Sequence, residues 1–251
     1  YTRSKKRGSW KKVLGWMVEH GADLDILVDT HPHIGTNKLP AIIAAMRERI
    51  IAAGGQVLFN QRVTGLVRDG KGAAVGVHTV DATLSGETTL SGEATLSGEA
   101  VVLATGHGAR DVFEWMHAGD FQIERKPFAL GVRVEHPQDW VDGRQYRLQK
   151  GQGAEHLGLP AAAYSLVTQT DDGGVFSFCM CPGGVIAPCA TEDGEIVTNG
   201  WSPSKRNNPW ANSGIVTTVS ASDLDALGYT GPLGALEFQR SVERACHAAA
   251  D

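Results

Sequence analysis

The sequence predicts a mixed α/β (α+β) chain with a β-rich second half, and three observations carry this. A helical pattern, a short strand and an antiparallel meander come first. An apolar β-branched run, Val101-Val102-Leu103, then breaks into Ala104-Thr105-Gly106 and opens a helix. Small residues at a strand end let the backbone approach a bulky ligand, and open α/β sheets bind ligands at that edge. Finally, residues 136–234 are rich in Gly, Pro, Asn and Ser, with short strand-like runs between.

In chain order, residues 9–20 read as a helix capped by Ser9, with Trp10, Val13, Leu14, Met17 and Val18 on one face and Gly21 as its stop. The segment 23–29 shows no clear period. After a polar loop, His31-Pro32-His33-Ile34-Gly35-Thr36-Asn37, comes the clearest helix. Thr36 or Asn37 would cap it, and Pro40 fits its first turn. Leu39, Ile42, Ile43, Met46 and Ile50 make its apolar stripe, and Gly54-Gly55 ends it. Short strands follow at 56–60, 63–67 and 73–80, the last two joined by Asp69-Gly70-Lys71-Gly72.

Residues 83–100 repeat one hexad three times: TLSGET, TLSGEA, TLSGEA. Three copies without inward aliphatic triads enclose no β-helical core. They read as a lengthened hairpin whose even period keeps Leu84, Leu90 and Leu96 on one face. A short helix over 111–117 turns Val112, Trp115 and Met116 inward. Strands are expected at 127–135, 165–169, 174–179, 195–198 and 215–220, and a helical pattern of Val242, Ala245, Cys246 and Ala249 closes the chain.

A net charge of −5 supplies no global basic field for nucleic acid or an anionic membrane. The basic cluster Arg3, Lys5, Lys6, Arg7, Lys11 and Lys12 reads as solvated surface. No apolar run has the length of a membrane span, and no signal peptide is visible. Cys179, Cys181 and Cys189 crowd together while Cys246 is remote, unlike a secreted disulfide framework, so a reducing cytoplasm is expected. Because the chain opens on Tyr1 and closes within a helical pattern, it reads as an internal piece of a longer protein.

Three segments stand out chemically. In Phe178-Cys-Met-Cys-Pro-Gly-Gly184 and on to Cys189, the cysteine spacing does not suit zinc. Buried inert thiols and one functional thiol both remain open there. The Gly183-Gly184 step suggests close approach to something flat or anionic. The segment 199–214 could bind a carboxylate or phosphate through Lys205, Arg206, Asn207 and Asn208, or be a turn-rich connection. In the 30–40 loop, Thr36 and Asn37 lie at a helix start, where N–H groups can meet an anion or simply be capped. His31 and His33 could share a face. Gly106-His-Gly108 begins like a dinucleotide fingerprint, but Asp111 stands where the third glycine belongs.

Together the strings PHIGTNKL (32–39), GGQVLFNQRVTGL (54–66), VVLATGHGARDVF (101–113), KPFALGVRVEHP (126–137), FSFCMCPGGVIAPCAT (176–191) and VTNGWSPSKRNNPWANSGIVTTV (197–219) resemble bacterial FAD-dependent dehydrogenases of the NAD(FAD)-utilising type. The resemblance implies a partial FAD/NAD(P)-binding Rossmann-like domain over 1–126, with its GxGxxG segment lying before Tyr1. An inserted β-rich, substrate-side domain would occupy 127–251. It places Gly35, Thr36, Asn37, Arg62, Val63, Ala104, Thr105 and Gly106 toward FAD. Cys179, Pro182, Gly183, Gly184, Ser204, Lys205, Arg206, Asn207 and Asn208 would border the substrate. The hexad repeat departs from the family's single shorter linker.

The expected function is flavin-mediated hydride or electron transfer to or from a small molecule, with NAD(P)H as a possible electron donor. His33 and Cys181 are the candidate catalytic groups. A thiol- or metal-binding module centred on Cys179, Cys181 and Cys189, or an inactive piece, are the alternatives. No nucleic-acid or membrane partner is expected, and the oligomeric state is open.

Overall fold

A computed structural model describes residues 9–29, 31–81, 91–149, 152–171 and 173–250. They group into two units. One comprises Tyr1–Gln56, Phe128–Ala190 and Ile196–Val219, the other Val57–Pro127, Thr191–Glu195 and Ser220–Asp251. The two units interleave along the chain. The reason is strand pairing: β4 (Phe128–Pro137) and β9 (Trp210–Val219) pair antiparallel along their whole length, from Phe128↔Val219 to Pro137↔Trp210. That ladder closes the second half on itself and leaves the residues after 219 to the other unit.

In the first unit, α1 (Trp10–Glu19) starts where Ser9 accepts from the Lys12 N–H, as expected. A single 3-10 turn, Leu24–Leu27, fills the segment of unclear period. Leu14, Ala22, Ile26 and Ile42 form a small core with α2 (Leu39–Ala52). Only Ile42 of the α2 stripe is fully buried; Leu39, Ile43 and Ile50 are exposed. Neither Thr36 nor Asn37 caps this helix. Lys38 occupies the cap position, because both neighbouring side chains bond the 202–204 segment instead.

The same unit holds a four-stranded antiparallel sheet in the order β4-β9-β6-β5, with β5 at Val167–Thr170 and β6 at Gly173–Cys181. A two-stranded ribbon, β7 (Val185–Cys189) with β8 (Val197–Trp201), completes it. Sequence periodicity missed β7 and α4 (Gln138–Tyr146). Val141 of α4, Ala162 and Ala211 pack with Tyr146, Tyr164 and Met180 on one face of the sheet. Directly paired residues share a face. Glu135↔Asn212 and Cys181↔Asn212 therefore place Glu135, Asn212 and Cys181 in a row on the opposite face.

A bulge produces that row. Phe178 pairs with Gly214 and Cys181 with Asn212, so β6 carries one residue more than β9 between the same two rungs. Cys179 takes up the extra length with φ of 47°. Met180 consequently faces the α4 core and Cys181 the other side.

In the second unit, β1 (Gln61–Arg68), β2 (Ala74–Asp81) and β3 (Ser91–Ser97) form an antiparallel sheet. Asp69 Oδ1 accepts from the Lys71 and Ala73 N–H groups and shapes the expected β1–β2 turn. β3 takes the end of the second hexad and the start of the third, and Leu96 opposite Val77 is exposed. Leu84 and Leu90 lie outside the described residues. The unit also holds α3 (Arg110–Ala118), α5 (Ala221–Ala226) and α6 (Gly234–Ala250). α3 confirms the helix expected after the 101–106 run, with Val112 buried.

Two expected strands are absent. Residues 56–60 are irregular, and 101–106 are extended but join no ladder, with Val102 87% exposed. Every strand pair among the described residues is antiparallel, so the parallel sheet of a Rossmann-like domain does not appear among them. A strand needs a neighbour for its N–H and C=O groups, and 101–106 has none here.

Candidate functional site

Residue types with chemistry converge where the β7–β8 ribbon meets the sheet face that carries Cys181. Gly200 of β8 lies against three side chains at once. A methyl group there would come within 2.5 Å of Asn212 Oδ1, 2.6 Å of Arg133 Nη1 and 2.7 Å of Cys181 Sγ. No side chain fits, so glycine lets the ribbon close on the sheet. Arg133 of β4 donates to Asn212 Oδ1 at 2.7 Å and to the Cys179 carbonyl at 3.2 Å. Glu135, on the same face, accepts from the Ile186 N–H at 3.2 Å and so ties the ribbon down.

The loop after β6 is held by its own backbone. Gly183 has φ of +54°, and any side chain on it would collide with the Arg206 carbonyl. Its N–H donates to Gln138 Oε1 at 2.7 Å; the Gln138 amide in turn donates to Asp142 and the Ala162 carbonyl. Ser202 Oγ donates to the Pro182 carbonyl at 2.7 Å. A side chain on Gly184 would meet the Trp201 carbonyl. The Gly-Gly step thus serves close approach of protein backbone, where the sequence had suggested a flat or anionic ligand.

Burial pushes the Cys181 thiol above its ordinary range, and Arg133 and Arg206 oppose that shift by favouring the thiolate. Arg206 sits at φ of 49°, and its Nε is buried without a hydrogen-bond partner. The Asn212 Nδ2 is likewise buried and unpartnered on a residue with no exposed surface. Such donors cost about 1–3 kcal/mol each when left unsatisfied. Sequence spacing could not find Arg133, Gly200 or Asn212, because strand pairing alone brings them to Cys181.

The remaining candidates are placed as follows. Lys205 and Asn207 are exposed, and Asn208 Oδ1 closes a local turn onto the Trp210 N–H. His33 Nε2 lies 2.9 Å from the Pro203 carbonyl and therefore donates to it, a tether between loops. The Thr36 N–H and hydroxyl both donate to the Ser202 carbonyl. Asn37 exchanges bonds with Ser204, and a side chain on Gly35 would strike the Ser204 backbone. His31 is exposed. Cys189 accepts from Asn199 Nδ2 at 3.1 Å. Among the described residues, no group of three His, Cys, Asp or Glu is placed to hold a metal ion. The metal-centred alternative therefore has no ligand set there.

In the other unit, the Arg62 guanidinium is held by Asp111 at 2.8 and 3.0 Å, and Val63 is half-buried in β1. Ala104, Thr105 and Gly106 are exposed outside any strand. Gly106 has φ of +78° and nothing within 4 Å of where a side chain would start. The main chain is therefore uncovered at this point. By contrast, the Thr36 donors are spent within the protein.

Residues 127–251 match the family model described as "FAD-dependent protein, C-terminal domain-like". The match supports an FAD-dependent family. An uncharacterized protein of Clostridium beijerinckii is 37% identical over 234 residues, which cover 92% of this chain and 40% of that protein. The chain thus spans about 40% of the length of that relative. No helix among the described residues is long and apolar enough to cross a membrane.

Proposed function

We propose that the chain is part of an FAD-dependent oxidoreductase of the dehydrogenase type acting on a small molecule. The observation that carries this reading is the match of residues 127–251 to an FAD-dependent family. The open backbone at Ala104, Thr105 and Gly106 supports it from the structure. In this reading those three residues, with the main chain beside Arg62 and Val63, hold the cofactor. FAD when bound supplies hydride or electron-pair transfer, with NAD(P)H as the proposed donor. The chain's own part is to bind and orient the substrate around Cys181, Arg133 and Arg206, where the β7–β8 ribbon shields the sheet from water. Flavin absorbance of the whole protein of which the chain is proposed to be part, with mass spectrometry of the released cofactor, tests the reading. FAD is the expected finding. Protein that carries no flavin and takes up none when FAD is added would overturn it.

A further inference from the structure

We infer that Arg133, Arg206 and Asn212 form an anion clamp beside Cys181, made to hold a carboxylate or phosphate group of a small molecule. The inference rests on the substrate-side role proposed above for this region and names the chemistry of its ligand. Arg133 Nη1 and Cys181 Sγ both lie against Gly200, and Asn212, paired with Cys181 across the sheet, accepts from Arg133 out of the neighbouring row. Arg206 is delivered to the same place by its backbone, which packs on Gly183 two residues past Cys181. Its electrostatic effect on the thiol agrees with that placement.

The charge balance is one-sided. Among the described residues, no carboxylate lies within 4 Å of the Arg133 or Arg206 guanidinium. The acid on this face, Glu135, is engaged by the Ile186 N–H. Arg133 thus lies beside the thiol with no acid paired to it, the Arg206 backbone packs two residues further along the loop, and Asn212, paired with Cys181, keeps a buried amide nitrogen without a partner. Buried donors of this kind are satisfied in native proteins, and planar guanidinium forks match carboxylate and phosphate oxygens. The donor set is made for an anion and would reject a cation or a neutral apolar group.

Cys181 itself reports on the clamp. Iodoacetate carries a carboxylate, whereas iodoacetamide is neutral and otherwise alike. Both alkylate the same thiolate, so the ratio of their rates at one pH cancels the thiol's ionisation. Alkylation of the full chain is followed by tandem mass spectrometry, with exposed Cys246 as the internal reference. The iodoacetate-to-iodoacetamide ratio at Cys181 is expected to exceed that at Cys246 by about tenfold, the size of one charge-assisted hydrogen bond. In Arg206→Gln and Arg133→Gln it should fall to the reference value. A Cys181 ratio equal to that of Cys246, or unchanged in both variants, overturns the clamp.

If neither reagent reaches Cys181, the anion dependence of Tm decides. Malonate or inorganic phosphate should raise Tm beyond sodium chloride of equal ionic strength in the wild type and not in Arg206→Gln. The larger response identifies the carboxylate or the phosphate. Equal responses to all three salts overturn the clamp. Flavin absorbance of the whole protein, measured beside these assays, separates the two readings. A preserved preference without flavin removes the oxidoreductase and keeps the clamp, and flavin without the preference does the reverse.

Discussion

Cys181 ties the residue scale to pH. Burial raises its thiol pKa in the folded protein, so the folded chain holds that proton more tightly than the unfolded chain. The stability this contributes is complete below the unfolded thiol's range, about pH 8.5, and is lost as pH rises through the folded value. Tyr146 and Tyr164 are also raised by burial and extend the loss further into alkali. Tm should therefore decline from about pH 8.5 upward. Cys181→Ala should flatten the first part of the decline and leave the tyrosine part; a variant profile parallel to the wild type throughout would remove Cys181 as the cause. Residue-level reading of the sequence singled out the 178–184 run and Arg206. It could not assign them partners, because Arg133 and Asn212 are remote in sequence and nothing local announces them.

At the scale of elements, local signals were legible where local physics decides. Ser9 caps α1 and Asp69 shapes the β1–β2 turn, each through bonds within a few residues. At α5, the Ser220 hydroxyl accepts from the Asp223 N–H while the Asp223 carboxylate accepts from the Ser220 N–H. Ser220→Ala should lower stability by about 1 kcal/mol in urea unfolding. A change within experimental error would mean that packing of Leu224, which is fully buried, holds this short helix without its cap. Periodicity misled where burial is polar. The α6 pattern of Val242, Ala245, Cys246 and Ala249 suggested an apolar inner face, yet Ala245, Cys246 and Ala249 are exposed and Glu243 is buried. An ion pair chose that face. The bulge in β6 defeats alternation in the same way: one extra residue puts Phe178 and Cys181 on the same side although their separation is odd.

Across the whole molecule, one buried ionic group ties distant segments of the second unit. Arg110, 3% exposed, donates to Glu195 at 2.6 Å and to Glu243 at 2.7 Å. Arg240 and Arg244 surround Glu192 and Glu195 from α6. Removing one partner strands the others, so Arg110→Ala should cost about 3–5 kcal/mol in denaturant unfolding. Replacing Arg110, Glu195 and Glu243 together by Met, Leu and Leu should cost much less, since no charge is then left buried alone. Equal losses in the two proteins would show that shape, and not charge, decides the site. The mixed α/β class and the β-rich second half were readable from composition and period. The interleaving of the two units was not, because it follows from β4 pairing with β9 and from charges that meet only after folding.

This arrangement also sets an order of events during synthesis. Arg110 leaves the ribosome 85 residues ahead of Glu195 and 133 ahead of Glu243. At ordinary translation speed that wait lasts on the order of ten seconds. Through it the guanidinium lacks the two carboxylates that it meets in the folded unit, and burying it without them would be costly. The first unit has all its strands once residue 219 has emerged, whereas the second must wait for the last helix. α6 is thus the element that completes the second unit, since Glu243 reaches the buried arginine from it.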